Sequence, residues 1–208
     1  MMNALNISWK PEFGTVFTWF AMDKHGKIAV MVNNCFGDLP KALLSINDAE
    51  TLLDQLNEYL WEESEQFNVY PENKSGLTVS DLYSGLRYSH MASREQFEQW
   101  LKQRSGHEQK IGEYNLPSVK GFFVYHGIEG SFEGEDYLAG YEGSTKMGDY
   151  FRFLTPTVYG SIGDFPSELH RGIVVSDVVD FTMDRLFDNA KINDYFPRMY
   201  SECGVASA

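Results

Sequence analysis

Long apolar runs are missing from this chain. No stretch of 18 or more apolar residues occurs, so no membrane-spanning helix is expected. The segment from Met1 to Gly14 has no basic region followed by an apolar stretch, and no secretory signal is read there. Cysteine is scarce. Cys35 and Cys203 are far apart, which argues against a disulfide framework and fits a reducing cytoplasm. The sequons at Asn6 and Asn73 carry no weight in that setting. Basic side chains are also few: 17 Lys and Arg stand against 30 Asp and Glu, a formal charge of −13. That deficit argues against nucleic-acid binding, which needs cations to neutralise phosphates, and against docking on anionic lipid. It permits a basic partner and would speed the encounter, although solubility is the plainer reading of net charge alone. No long Pro- or Ser-rich linker divides the chain, which is read as a single domain over 1–208.

Familiar catalytic signatures are missing too. There is no Walker phosphate loop: Gly143-Ser144-Thr145-Lys146 has some of the residue types in the wrong order. No Gly-x-Gly-x-x-Gly opens a helix and no Gly-x-Ser-x-Gly elbow is present. Glu108-Gln109-Lys110 has a spacing found in some nuclease cores, but lies in a polar stretch. Of the five histidines (His25, His90, His107, His126, His170), none pairs with another at metal-ligand spacing. The nearest approach to a metal site is His126 with Glu129, followed by Glu133, Glu135 and Asp136. Cys35 near His25 across a hairpin is a weaker candidate, because a cysteine acting as a small apolar residue is far commoner. No catalytic residue, metal ligand or cofactor is assigned, and a binding protein is preferred to an enzyme.

What is present is core material, 43% hydrophobic and 15% aromatic, enough for a packed domain and too much for disorder. Thr15 to Met22, the turn Asp23-Lys24-His25-Gly26 and Lys27 to Val32 read as a β-hairpin. Gly37-Asp38-Leu39-Pro40 breaks the pattern, with Asp38 placed to cap a helical turn. The best helix runs from about Asp48 to Glu65. Asn47 with Glu50 resembles a capping box, and Ala49, Leu52, Leu53, Leu56, Tyr59 and Leu60 recur at helical spacing. A second helix is expected from Ser93, with Phe97, Trp100 and Leu101 on one side and Gly106 at its end. Val119 to Tyr125, Tyr137 to Tyr141, Tyr150 to Leu154 and Gly172 to Val175 read as strands, while Asp180 to Phe187 is ambiguous. Gly163-Asp164-Phe165-Pro166 echoes the earlier Gly-Asp-x-Pro, which reuse of one turn chemistry explains better than duplication. The expected fold is α+β: an antiparallel sheet built of hairpins with two main amphipathic helices packed on it.

The acidity is concentrated. From Ala42 to Asn73 there is no Lys or Arg, and Glu129 to Glu142 lacks them as well. On a helical wheel Glu50, Asp54, Glu58, Glu62 and Glu65 gather opposite the apolar arc, with Trp61 projecting among them. Like charges at i and i+4 cost an isolated helix roughly 0.2–0.5 kcal/mol per pair, which core packing easily covers. An aromatic set among carboxylates suits a docking surface for a basic protein. The bland alternative is a solvated face whose counter-ions lie on other elements, with Trp61 tucked beneath the following segment. The second candidate surface, Glu133, Glu135 and Asp136, has a mobile hairpin loop as its alternative.

The hairpin Phe17-Thr18-Trp19-Phe20-Ala21-Met22-Asp23-Lys24-His25-Gly26-Lys27-Ile28-Ala29-Val30, followed by Gly37 to Pro40, resembles the opening of small bacterial immunity proteins. The similarity covers about the first forty residues and carries over no binding residue. It implies a cytoplasmic protein, monomer or homodimer, that blocks a cognate and basic toxin domain. Two other functions remain open at this point. One is a metal-assisted hydrolase using His126, Glu129 and Glu133 or Asp136. The other is a structural or regulatory subunit of a phage-like or secretion assembly.

Overall fold

A computed structural model describes residues 5–74, 76, 78–80, 82–84, 96, 99, 115–129, 136–138 and 143–201. Its centre is two strands with no polar alternation. β1 (Thr18–Met22) and β2 (Ile28–Val32) pair antiparallel, from Thr18 opposite Val32 to Met22 opposite Ile28. The hairpin read from the sequence is therefore present. Asp23 shapes its turn: one carboxylate oxygen accepts the His25 and Lys27 N–H groups at 2.9 Å each, and Gly26 supplies a φ of +80°.

Trp19, Phe20 and Ala21 are buried in succession, as are Ile28 to Met31. A strand with one face in water alternates; these do not, because both faces are covered. Each is accordingly an interior strand with a parallel outer neighbour. β8 (Ile173–Val175) lies beside β1, and β5 (Phe123–Gly127) lies beside β2. β10 (Arg198–Met199) pairs antiparallel with β8, and β7 (Tyr150–Pro156) with β5. Two short strands share the outer edge of β7. β3 (Thr78–Ser80) takes its C-terminal half and β9 (Leu186–Phe187) its N-terminal end. The order is β10-β8-β1-β2-β5-β7-β3, with β4 (Leu82–Ser84) and β6 (Asp136–Leu138) forming a separate antiparallel pair.

The fold is α+β, but the sheet is mixed rather than an antiparallel stack of hairpins. The cause is the double-sided burial of β1 and β2, whose parallel partners arrive from distant segments. Val119 closes a helical turn, Leu116–Val119, and the strand expected there begins at Phe123. Asp180 to Phe187 resolves into a turn followed by β9, so the sheet takes Leu186 and Phe187 alone. The helix expected from Ser93 to Gly106 lies outside the described residues, apart from single helical positions at 96 and 99.

Pro40, not Asp38, is the N-cap of the short helix α1 (Lys41–Leu44). The Asp38 carbonyl instead accepts the Tyr150 hydroxyl at 3.0 Å. The second Gly-Asp-x-Pro does the same local work. Pro166 starts a 3-10 turn over Ser167–Gly172, with φ of −54° against −59° at Pro40. Leu39 and Phe165 before the two prolines are both buried.

The one long helix among the described residues is α2 (Ala49–Leu60), whose buried residues Leu52, Leu53, Leu56, Tyr59 and Leu60 form the apolar arc. Gly172 lets α2 approach closely, since a Cβ there would meet Leu56 Cδ1 at 2.8 Å. Tyr59 ties the helix to two other segments. Its hydroxyl is 2.8 Å from the Val69 carbonyl and 3.0 Å from that of Asp164. Burial, with the Asp164 charge adding to it, pushes this phenol up to about 12. A folded pKa above the unfolded one favours folding below the unfolded value, near 10, and that contribution fades as pH rises through 12. Tyr59→Phe is expected to lower stability at neutral pH by about 1–2 kcal/mol. It should also flatten the loss of stability between about pH 10 and 12, followed by urea denaturation across that range. An unchanged alkaline limb would show that another group governs it.

Candidate functional site

The acidic residues of α2 and its flanks separate into three groups. At the N-terminal end, Asp48 is the N-cap but makes no side-chain cap bond. Its carboxylate is taken up by Arg171, in a bidentate pair at 2.9 and 2.6 Å that holds the Asp48 carboxyl below its usual range. The expected capping box of Asn47 and Glu50 does not form.

At the C-terminal end the helix stops at Leu60, five residues before the expected limit. The Glu63 N–H bonds the Glu58 carbonyl at 2.8 Å and the Glu62 N–H bonds that of Tyr59 at 3.3 Å. With Glu62 at φ +65°, this is a Schellman stop in which Glu occupies the left-handed position usually given to Gly. The Glu62 carboxylate lies 2.9 Å from the ammonium of Lys120, a buried lysine that also donates to the Leu60 carbonyl at 2.7 Å. Trp61, the C-cap, is half-buried and packs against the core. Glu65 is exposed in the segment beyond.

Between those ends, Asp54 and Glu58 are exposed and Glu50 is half-buried. None of the three makes an ion pair among the described residues. Among the described residues, counter-ions from other elements reach two carboxylates of the Lys-free stretch, Asp48 and Glu62. Glu50 and Asp54 share a stripe with Leu53 and Asn57 that faces the N-terminal segment across a cleft of about 790 Å³. Burial, reinforced by the neighbouring Glu50 charge, pushes the Asp54 carboxyl up from its ordinary range.

The opposite wall is the segment from Asn6 to Thr18, which contributes Trp9, Lys10, Glu12, Val16 and Phe17. Leu5 and Trp9 anchor it in the core, with the Trp9 ring edge-on to Phe17 at 5.6 Å. The Phe17 N–H donates to the side-chain oxygen of Asn33 at 2.7 Å. The Lys10 ammonium reaches Asp38 at 3.5 Å. Glu12, a third carboxylate at the cleft, lies outside the Lys-free stretch, and nothing in the local sequence signals that its segment folds back beside α2.

Glu133 and Glu135 lie outside the described residues, and Asp136 is described only as the first residue of β6. His126 sits on β5 with its ring 4.6 Å from that of Phe153, and Glu129 is exposed after the strand. Among the described residues no group of three or more His, Cys, Asp or Glu is placed to hold a metal ion. His25 pairs with Asp180 at 3.3 Å beside the β1–β2 turn. Cys35 follows the opposite end of β2, roughly 17 Å of strand away, so His25 is not placed to activate it. No helix among the described residues is long and apolar enough to cross a membrane. Comparison with protein-family models, curated proteins and solved structures found no match, so the chemistry of the site rests on this geometry.

Proposed function

We propose that this chain is an immunity-type binding protein of the cytoplasm, which neutralises a basic toxin domain through the acidic face of α2. The observation that carries the reading is the middle of that face. Glu50, Asp54 and Glu58 stand at successive i, i+4 positions with no counter-ion among the described residues, while Asp48 before them and Glu62 after them are each paired within the chain. Three such carboxylates repel one another in the free protein, and a basic partner removes that repulsion on binding. The net charge of −13 adds long-range attraction for a cationic partner. Glu62 drops out of the proposed contact set because its carboxylate holds Lys120.

The test is co-expression with the product of the adjacent upstream gene, followed by co-purification and a toxicity assay. The expected result is a salt-sensitive complex that protects the host. The triple variant Glu50→Gln, Asp54→Asn, Glu58→Gln should fold normally and bind at least about tenfold more weakly, about 1.4 kcal/mol. Full protection and unchanged affinity in that variant would exclude this face, and a neighbouring gene with no toxic product would remove the neutralising role.

A further inference from the structure

Three exposed apolar side chains lie on the segment that forms the outer wall of the cleft. Ile7 is 58% exposed, Phe13 92% and Val16 56%, although Leu5, Trp9 and Phe17 of the same segment are buried or half-buried. Single exposed apolar residues are ordinary. Val16 lines the cleft, and Ile7 and Phe13 stand next in sequence to the lining residues Asn6, Ser8, Glu12 and Gly14, so three exposed apolar side chains fall within ten residues of one anchored segment. The cleft has carboxylates on both walls, Glu12 on one and Glu50 and Asp54 on the other. Its Lys10 is drawn toward Asp38, and Glu12 makes no ion pair among the described residues. The lining between the walls is mixed, with Trp9, Val16, Phe17 and Leu53 set among polar side chains such as Thr15 and Asn57.

We infer that this cleft receives a basic segment of the partner protein, whose Arg or Lys head lies between Glu12 and the Glu50–Asp54 pair. The aliphatic stem of that residue packs on Trp9, Val16 and Phe17, and an apolar neighbour in the segment covers Phe13. A long cationic side chain suits such a site because its stem is apolar and its head charged. A planar guanidinium adds several donors and stacks on aromatic faces, so Arg is the better fit. A volume of about 790 Å³ accommodates several side chains, so the occupant is a peptide segment rather than a lone ion. The raised Asp54 carboxyl is in accord with a carboxylate pair whose cation is still to arrive. This assignment rests on the neutralising role proposed above and adds a second wall to it. Docking on the outer face of α2 alone would use Glu58 and leave Glu12 and Val16 untouched.

The experiment uses the full chain labelled with nitrogen-15 and the synthetic peptide Arg-Leu-Arg-Leu-Arg as probe, with Glu-Leu-Glu-Leu-Glu as control. Amide shifts are expected at residues 9–18 and 50–57 with the arginine peptide and not with the control. Glu12→Gln combined with Val16→Ser should weaken binding of the peptide, and of the toxin domain, by about tenfold. Thermal unfolding checks that both exposed substitutions leave the fold intact. Shifts confined to other surfaces, or unchanged affinity in the Glu12–Val16 variant, would overturn the cleft assignment. If a toxin is still neutralised by that variant, the cleft fails and the neutralising role stands. If the peptide binds the cleft but no toxic neighbour is blocked, the neutralising role fails and the cleft stands.

Discussion

Trp19→Ala is expected to destabilise the protein by about 3–5 kcal/mol, a large part of the roughly 5–15 kcal/mol that holds an ordinary domain folded. Trp19 is fully buried at the centre of β1. Its ring is edge-on to Tyr150 at 5.6 Å and to Phe196 at 5.4 Å, so one side chain joins β1, β7 and the C-terminal region. Removing it loses the transfer energy of the indole and both edge-to-face contacts, and leaves a cavity that strands paired on both sides cannot close. The indole N–H also donates to the Tyr150 hydroxyl at 3.0 Å, and that hydroxyl reaches the Asp38 carbonyl at 3.0 Å. Tyr150→Phe isolates this polar part. It leaves a buried N–H and a carbonyl without their partner, which costs about 1–3 kcal/mol with almost no change of volume. The position is tight, because a Cβ on Gly37 would already meet the Tyr150 ring at 2.5 Å. Urea denaturation of both variants separates the terms. A Trp19→Ala loss no larger than that of Tyr150→Phe would show that polar pairing, not packing, dominates here.

The same strands show what local sequence can and cannot specify. The β1–β2 hairpin is legible because its determinants are adjacent: two β-prone runs, Asp23 to accept turn N–H groups and Gly26 at positive φ. The two Gly-Asp-x-Pro turns are legible for the same reason, although each proline, rather than an aspartate, takes the cap. The parallel partners are a different matter. β8 lies about 150 residues from β1, and no short-range pattern encodes that pairing. Only the run of consecutive apolar residues hints that both strands are interior.

The acidic face divides along similar lines. A helical wheel places Glu50, Asp54 and Glu58 together because they lie within one helix. It does not place Glu62 and Glu65, because the chain leaves the helical path at Glu62 without a glycine to announce it. Asp48 and Glu62 are neutralised by Arg171 and Lys120, more than a hundred and more than fifty residues away, while Glu12 enters the site only through the packing of Trp9 and Phe17. Counting unpaired carboxylates therefore requires the tertiary structure. Charge in the sequence marks where to look, and ion pairing decides which residues remain available to a partner.

Glu62→Ala should destabilise the protein by about 3 kcal/mol, more than Lys120→Met at its partner. The asymmetry follows from exposure. Lys120 is 1% exposed and Glu62 48%. Without Lys120 the carboxylate rehydrates, and the main loss is the bond to the Leu60 carbonyl, about 1.5–3 kcal/mol, offset in part because Met fills the space and no ammonium need be desolvated. Without Glu62 the ammonium stays buried with the Leu60 carbonyl and the Tyr70 ring, 5.8 Å away, as its remaining partners. The left-handed backbone at residue 62 is equally unfavourable for Ala and Glu, so the comparison isolates the charge. The pH dependence is distinctive. Burial already lowers the Lys120 pKa in the folded state, with Glu62 opposing the shift. Between that lowered value and the ordinary value near 10.5 the unfolded chain binds more protons, so this group makes stability rise with pH. Removing Glu62 widens the window toward lower pH and steepens the rise. The double variant Lys120→Met, Glu62→Ala should be more stable than Glu62→Ala alone and lose this rise altogether. Urea midpoints from pH 7 to 10 measure all three. Equal losses for the two single variants, with no pH slope in Glu62→Ala, would mean that Lys120 is solvated in the folded protein and that α2 is not held by a buried charge.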